Sequence, residues 1–346
     1  MSVPKISIII LNYNGKHYLE DCLSSVEKQS KNQSFECLFI DNGSTDDSVE
    51  FVRKNFPWVK IVESKTNLGF TGGNNLGARG AKGEFLVFLN YDTIVDKDWL
   101  SPLLEAFKQP LTAAAQSKVL FESERNRINT LGTDTHITGL TVCKHIFEAD
   151  RGFVKNEDVS GFSGCSVMMP KNLFKKLGGF DEDFFLYLED TDIGWRARLA
   201  GYKIVAVPAS RVYHKYKLKM NPAIFRHNER NRLLMVLKNY SVKSLLLLFP
   251  SFFLMEVFTH AYALYLGPSF LISKLWADLD VFSKLGSVVE KRKSIDRMRK
   301  TGDKVILSSY PSDLPTYRAP GFANYLIWPF NIFFKLNRFL VLTLLS

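Results

Sequence analysis

The sequence predicts an α/β domain with a mostly parallel sheet flanked by helices, followed by a helical, membrane-associated region. Three observations carry this. Through the first hundred or so residues, short apolar runs rich in Ile, Val and Phe alternate with segments of helical periodicity, the pattern of right-handed βαβ crossovers. Each of those apolar runs stops at amides, carboxylates or glycines. Beyond about residue 220 the chain turns apolar, and 244–273 holds Glu256 as its one clearly charged group.

Strands are expected near 6–11, 35–40, 58–62 and 84–89, and helices near 16–29, 45–55, 72–82 and 97–108. The run Phe85, Leu86, Val87, Phe88, Leu89 has no polar alternation, so it reads as a central strand covered on both faces. Ser44 or Thr45 is the expected N-cap of the second helix. From about 110 to 160 the pattern weakens, and "GTDTHITGLTVCKH" suggests irregular or hairpin structure. "LEDTDIGWRARLAG" (188–201) then reads as a helix closed by Gly201, with Asp192 and Arg196 spaced as an i,i+4 pair, and "YKIVAVP" as the next strand.

The C-terminal part offers two readings. The segment 244–273 is long enough to span a bilayer or re-enter it, while Pro250, Glu256, His260 and Pro268 argue for a soluble helical hairpin instead. "FANYLIWPFNIFFKLNRFLVLTLLS" (322–346) has the pattern of an interfacial helix. "KRKSIDRMRK" (291–300) suits a cytoplasmic flank facing phospholipid, or a solvated helix face. Arg226, Arg230 and Arg232 in "FRHNERNRLLMVLKN" (225–239) either meet acceptor or lipid phosphates or belong to an amphipathic helix packed on the preceding α/β domain.

With 346 residues, 46% hydrophobic and 23% charged, the chain can bury one large core or two modest ones, and extensive disorder is excluded. A net charge of +10 calls for an anionic partner: nucleic acid, a phosphorylated ligand or an anionic membrane. Nucleic acid is disfavoured, because the basic residues follow the apolar region and form no aromatic-interleaved groove. Cys22, Cys37, Cys143 and Cys165 lack CxxC spacing, which speaks against zinc or a disulfide framework and for a reducing compartment. "MSVPKISIIILNYNG" has no basic n-region or cleavage site, so a signal peptide is not expected.

If the sheet is parallel, "LNYNG" (11–15), "DNGSTDDS" (41–48), "TNLGFTGGNN" (66–75) and "LNYDT" (89–93) converge at one edge, where open α/β sheets bind ligands. One polar strand end is an ordinary turn; four together describe a pocket. Their chemistry suits a nucleotide. Tyr13 offers a ring on which a base stacks, Asp41 an acceptor for a pyrimidine imide N–H, and Gly69, Gly72 and Gly73 room for backbone to approach a ligand. Asn12, Asn67, Asn74 and Asn90 on the same segments complete the candidate donor contacts. Neither GxGxxG nor GxxxxGK[ST] occurs, so dinucleotide and P-loop readings are weak.

In order and spacing, "SIIILNYNG", "IDNGSTDDS", "NLGFTGGNN", "FLNYDT", "GFSGCSVMMPKNLFKKLGGFDEDFF", "EDTDIGWR" and "RVYHKY" resemble the family 2 glycosyltransferases, inverting enzymes of the GT-A fold, in their rhamnosyltransferase-like branch. The resemblance covers roughly 4–220. It implies a catalytic domain over 1–220, with nucleotide-sugar binding in about 1–110 and the acceptor and base part in about 111–220, ahead of a helical membrane-associated region over 221–346. Asn90-Tyr91-Asp92 stands where the family has its Asp-x-Asp metal motif, so Asp92 is implied as a ligand for Mg²⁺ or Mn²⁺ on the donor diphosphate, with His214 completing the site. Asn90 leaves one carboxylate fewer than the usual motif. Asp190 is implied as the base that takes the acceptor hydroxyl proton, with Asp192 mainly structural. The implied partners are a nucleotide-diphosphate sugar donor, a glycan or polyprenyl-linked acceptor and membrane phospholipid at the cytoplasmic face of the cell membrane. A sugar-nucleotide pyrophosphorylase competes, although "LNYNGKHY" supplies only Lys16 for a triphosphate, as does a non-catalytic nucleotide-sugar-binding scaffold.

Overall fold

The computed structural model of the chain describes residues 4–31, 33–216, 220–314 and 321–345; Ser346, the end of the expected interfacial helix, lies outside them, as do 217–219 before the expected boundary at 220. In chain order the elements are β1 (Ile6–Asn12), α1 (Lys16–Glu27), β2 (Phe35–Asp41), α2 (Ser48–Asn55), β3 (Lys60–Glu63), α3 (Gly69–Gly80), β4 (Phe85–Asn90), β5 (Thr93–Val95), α4 (Leu100–Ala106), β6 (Thr112–Phe121), β7 (Ile128–Thr130), β8 (Thr133–Thr135), β9 (Thr141–Cys143), β10 (Glu157–Asp158), β11 (Ser166–Pro170), α5 (Lys171–Lys176), α6 (Glu189–Leu199) and β12 (Lys203–His214). The helices α7 (Pro222–Asn239), α8 (Val242–Leu266), α9 (Pro268–Ser283), α10 (Leu285–Met298), α11 (Asp303–Ser309) and α12 (Gly321–Leu344) follow.

Two compact units divide the chain: residues 1–133, 143–197 and 202–218 in the first, and 134–142, 198–201 and 219–346 in the second. The first is built on a mixed sheet of order β10-β12-β6-β11-β4-β1-β2-β3, with β5 on β12 and β7 on β6. β1, β2, β3, β4, β6 and β12 run in one direction and β5, β7, β10 and β11 in the other, so the four polar strand ends do share an edge, and β12 ends there too. Ile6, Ile8, Ile9 and Ile10 of β1 and Leu86, Val87 and Phe88 of β4 are all fully buried, as continuous apolar runs between two helical layers should be.

β6 is the main departure from the expected pattern. Every residue of "TAAAQSKVLF" is buried in mid-sheet, within the stretch where the sequence pattern weakens and no strand was expected. Its small and polar residues hid the strand from periodicity. Most of its polar atoms have found partners: Gln116 Oε1 accepts from the Ser163 N–H at 2.9 Å, the Ser117 hydroxyl meets those of Ser166 and Ser210 at 2.8 Å each, and Lys118 Nζ donates to Asp150 at 2.6 Å, while Gln116 Nε2 is unpartnered among the described residues.

The second helix is not capped by Ser44 or Thr45. It begins at Ser48, whose N–H donates to Asp46 Oδ1 at 3.2 Å, because the Ser44 hydroxyl is drawn instead to the Asn12 amide and the Asn14 N–H, both at 3.0 Å. α3 begins three residues earlier than expected, and its glycines serve packing. A Cβ on Gly73 would lie 2.3 Å from Leu11 Cδ1, and one on Gly77 would lie 2.6 Å from Ile9 Cγ2. Gly77→Val is therefore expected to destabilise the protein by about 1–3 kcal/mol through overpacking against β1, read as a lowered thermal midpoint. An unchanged midpoint would contradict this close approach.

In the second unit the expected segment 244–273 is two helices. α8 ends at Leu266, Gly267 takes φ +122°, and Pro268 opens α9. α8 alone, with 25 residues and a mean hydropathy of 1.6, is long and apolar enough to cross a membrane among the described residues. Glu256 at its middle is paired with Arg232 and with Lys274 Nζ, the latter at 2.6 Å. Arg226 forms a two-pronged bond to Asp280, both contacts at 2.9 Å, and Arg232 also holds Glu229 at 2.8 Å. These two arginines are engaged by carboxylates inside the helical unit. Its surface remains apolar: Phe249, Phe253, Tyr265, Trp276, Phe282, Trp328 and Phe339 are each more than half exposed.

Candidate active site

The sheet edge gathers the candidate residues around one turn, Ser163-Gly164-Cys165, which leads into β11. On one side of it lies the end of β4, where the Asn90 N–H donates to the Cys165 carbonyl at 3.0 Å. On the other, the Gly164 N–H donates to Asp190 Oδ2 at 2.8 Å. Gly164 leaves no room for a side chain, since a Cβ would meet Phe70 Cζ at 2.9 Å and stand 3.7 Å from Asp190 Oδ2.

Sheet register fixes Asp92 and His214. β5 pairs antiparallel with β12, placing Thr93 opposite His214, and the preceding residue brings Asp92 Oδ1 to 3.2 Å from His214 Nε2. Asn129 Oδ1 lies 3.1 Å from Nδ1 of the same ring. An amide oxygen there accepts the Nδ1 proton, so Nε2 is the nitrogen that faces the Asp92 carboxylate and would face a cation held beside it. Burial opposes protonation of His214, but Cys165 and Asp92 favour it more strongly, and its pKa is raised to about 10. One oxygen and one imidazole nitrogen, oriented from behind by an amide, fit a divalent cation.

Asp190 opens α6. Beyond its bond to Gly164, its Oδ1 accepts from the Thr191 N–H at 2.6 Å and the Thr191 hydroxyl at 3.3 Å. Burial raises its pKa, against the pull of those backbone donors. Neighbouring Glu189 is buried with Oε2 unpartnered among the described residues, and burial and Asp190 hold its pKa well above the usual carboxylate range. Asp192 is structural: fully buried, it accepts from Arg196 Nε at 2.9 Å within α6.

On the donor side, Asp41 is 4% exposed; its Oδ2 accepts from the Ser44 N–H at 3.1 Å and its Oδ1 from Asn12 Nδ2 at 3.4 Å. Among the described residues Asn12 Oδ1 and Asn74 Oδ1 are buried without partners, and Tyr13 is 44% exposed. Asn67 shapes its own loop, accepting from Asn42 Nδ2 at 2.9 Å and the Gly69 N–H at 2.8 Å. The glycines that were expected to admit a ligand also make close approaches within the protein. A Cβ on Gly72 would reach Leu68 Cβ at 2.8 Å, and one on Gly69 (φ +70°) would strike the Phe185 carbonyl at 2.3 Å. Two contributors were missed in the sequence. Asn129 lies in the weakly patterned stretch and gave no signal, whereas Asn42, which ties β2 to the Asn67 loop, stood inside the quoted "DNGSTDDS".

The chain matches glycosyl transferase family 2 over residues 7–178, and the N-terminal domain of galactosyltransferase over 145–219. Residues 7–178 belong to glycosyl transferase family 2. This transferase domain is similar to the O-antigen biosynthesis protein RfbC of Myxococcus xanthus, 27% identical over 224 residues, which are 61% of this chain and 17% of that protein. It is also similar to an N-acetylglucosaminyl-diphospho-decaprenol L-rhamnosyltransferase of Mycobacterium tuberculosis, 25% identical over 232 residues, 60% of this chain and 75% of that one. The chain thus spans under a fifth of RfbC and three quarters of the rhamnosyltransferase. Among solved structures, a mannosyltransferase of Pyrobaculum calidifontis in complex with GDP-Man and Mn²⁺ shares the fold, with a TM-score of 0.51 and 16% identity over 99% of this chain and 87% of that one. The fold of the transferase domain is GT-A, and none of these matches supports the pyrophosphorylase or scaffold readings.

Proposed function

We propose that this chain transfers a sugar, with inversion at the anomeric carbon, from a nucleoside-diphosphate donor to a lipid-linked or cell-surface glycan at the cytoplasmic face of the membrane. One observation carries the reading. A carboxylate, Asp190, and a carboxylate–imidazole pair, Asp92 and His214, are arranged about one tight turn at the ligand-binding edge of the sheet.

Asp92 and His214 would hold Mg²⁺ or Mn²⁺, with Asn90 beside them; the cation would neutralise charge on the departing nucleoside diphosphate. Mn²⁺ accompanies GDP-Man in the Pyrobaculum mannosyltransferase. Tyr13 and Asp41 would receive the base, and the free oxygens of Asn12 and Asn74 the rest of the donor. Asp190 takes the acceptor hydroxyl proton as that oxygen attacks the anomeric carbon from the face opposite the leaving group. Its half-buried setting and raised pKa suit a proton acceptor.

The acceptor reading rests on the apolar faces of α8, α9 and α12 and on the basic residues of α10. An enzyme held at a bilayer meets a polyprenyl-linked glycan at high effective concentration. The names of the two relatives, an O-antigen biosynthesis protein and a decaprenol-linked rhamnosyltransferase, point to the same class of acceptor. The test of the transfer is incubation of the purified protein and Mn²⁺ with a panel of nucleotide sugars and a polyprenyl-diphosphate glycan, read as released nucleoside diphosphate. Acceptor-dependent release from one donor is expected; no release from any of them would reject the reading. The full chain is also expected to sediment with membranes and to need detergent for release, and recovery wholly in the soluble fraction would remove the membrane part.

A further inference from the structure

Two helices of the transferase domain grip the segment that leads to the proposed base. Arg196, on α6 itself, donates Nη1 to the Leu177 carbonyl and Nη2 to the Gly179 carbonyl, the latter at 2.8 Å. Asn75, on α3, closes a reciprocal pair with Phe180. Its Oδ1 accepts the Phe180 N–H at 3.0 Å and its Nδ2 donates to the Phe180 carbonyl at 2.8 Å, with a further bond to Glu182 Oε1 at 3.0 Å. The glycine before Phe180 makes this possible: Gly179 takes φ +68°, and a Cβ there would lie 2.8 Å from Asn75 Oδ1. One turn earlier on the same helix, the Thr71 N–H donates to the Phe185 carbonyl at 3.2 Å.

Between these grips and Asp190 the backbone is unusual. Phe185, Tyr187 and Leu188 take φ of +63°, +72° and +64°, left-handed conformations that bulky side chains disfavour. Three such residues in four positions persist only where their surroundings over-determine them, and such strain collects at functional sites. The run ends directly in Glu189 and Asp190. A buried amide tying two elements together is ordinarily just packing. Here the tied segment is strained and delivers a reacting carboxylate, which gives the tie a consequence for chemistry.

We infer that Asn75 is a positioning residue for the base: by fixing the Phe180 peptide it holds the strained run 185–188, and so places the Asp190 carboxylate against the acceptor. The inference rests on the reading of Asp190 as the base. It assigns to the middle of α3 a role in turnover separate from any contact with the donor.

The test uses Asn75→Ala and the isosteric Asn75→Asp, which keeps an acceptor for the Phe180 N–H but loses both donated bonds. In either variant, amide hydrogen exchange in a peptide covering 180–190 is expected to quicken at least about tenfold, while peptides from β1 and β4 keep their protection. With the donor found in the nucleotide-sugar panel, kcat is expected to fall about ten- to a hundredfold with donor KM changed less than about twofold, the signature of misplacement. In an Asp190→Asn background the same Asn75 change should cost less than about twofold more, because it acts through the group already disabled. Unchanged exchange in 180–190, or an equal loss of kcat in both backgrounds, would overturn the inference. Full turnover by Asp190→Asn alone would remove the base reading and the positioning role with it, and the exchange data would still show separately whether Asn75 holds the segment.

Discussion

Asp190→Asn is expected to abolish transfer while leaving donor binding nearly intact. The substitution keeps the shape of the side chain and one of its two acceptor oxygens, so that the bond from Gly164 or from Thr191 survives, but removes the proton acceptor. The loss should therefore appear in kcat, on the order of 10²-fold or more for a positioned base. Asp41→Asn should behave in the opposite sense, weakening the donor while a saturated enzyme still turns over. Loss of nucleotide binding in Asp190→Asn as severe as in Asp41→Asn would transfer the base role to Glu189. The pH profile gives a second reading. Burial raises the Asp190 pKa, and only the ionised form accepts a proton. Activity is accordingly full above that raised value and falls as pH drops through it, at a higher pH than an ordinary surface carboxylate would give, measured as the acid limb of kcat.

Asp92→Ala is the second large expected effect. It removes the oxygen that faces His214 Nε2 at 3.2 Å and leaves the imidazole, held from behind by Asn129, as a single ligand. Turnover should fall by about 10²-fold or more, and EDTA should reproduce the loss in the unaltered protein, with recovery on adding Mn²⁺ or Mg²⁺. Asn129→Ala should act more weakly, costing about 10- to 100-fold in metal affinity, since it only orients the ring. Full activity in EDTA together with near-full activity of Asp92→Ala would remove the metal from the account.

What the sequence made legible follows from where its physics is local. The strands β1, β2 and β4 could be read because β-branched and aromatic runs covered on both faces have few alternatives, and their polar ends marked the candidate ligand edge. β6 could not, because Ala, Gln, Ser and Lys become strand residues only through partners at Ser163, Ser166 and Asp150, far away in sequence. The motif glycines were visible, but their purpose was not. Gly73 and Gly77 are small so that α3 can approach Leu11 and Ile9, a packing demand set by another element. Asp92 and His214 were found through the family resemblance, and the β5–β12 register that joins them supplies the reason; Asn129 and Asn75 act through bonds spanning 85 and 105 positions, beyond any local pattern. In the C-terminal unit Glu256 stood out as a charge inside an apolar sequence, but its partners Arg232 and Lys274 come from other helices and could not be read locally.

The most direct test of the central claim is the stereochemistry of one turnover. With the donor and acceptor found in the panel, proton NMR of the product gives the anomeric configuration of the transferred sugar. Single displacement with Asp190 as base predicts a configuration opposite to that in the nucleotide sugar, in every product molecule. A product that keeps the donor's configuration would contradict the account.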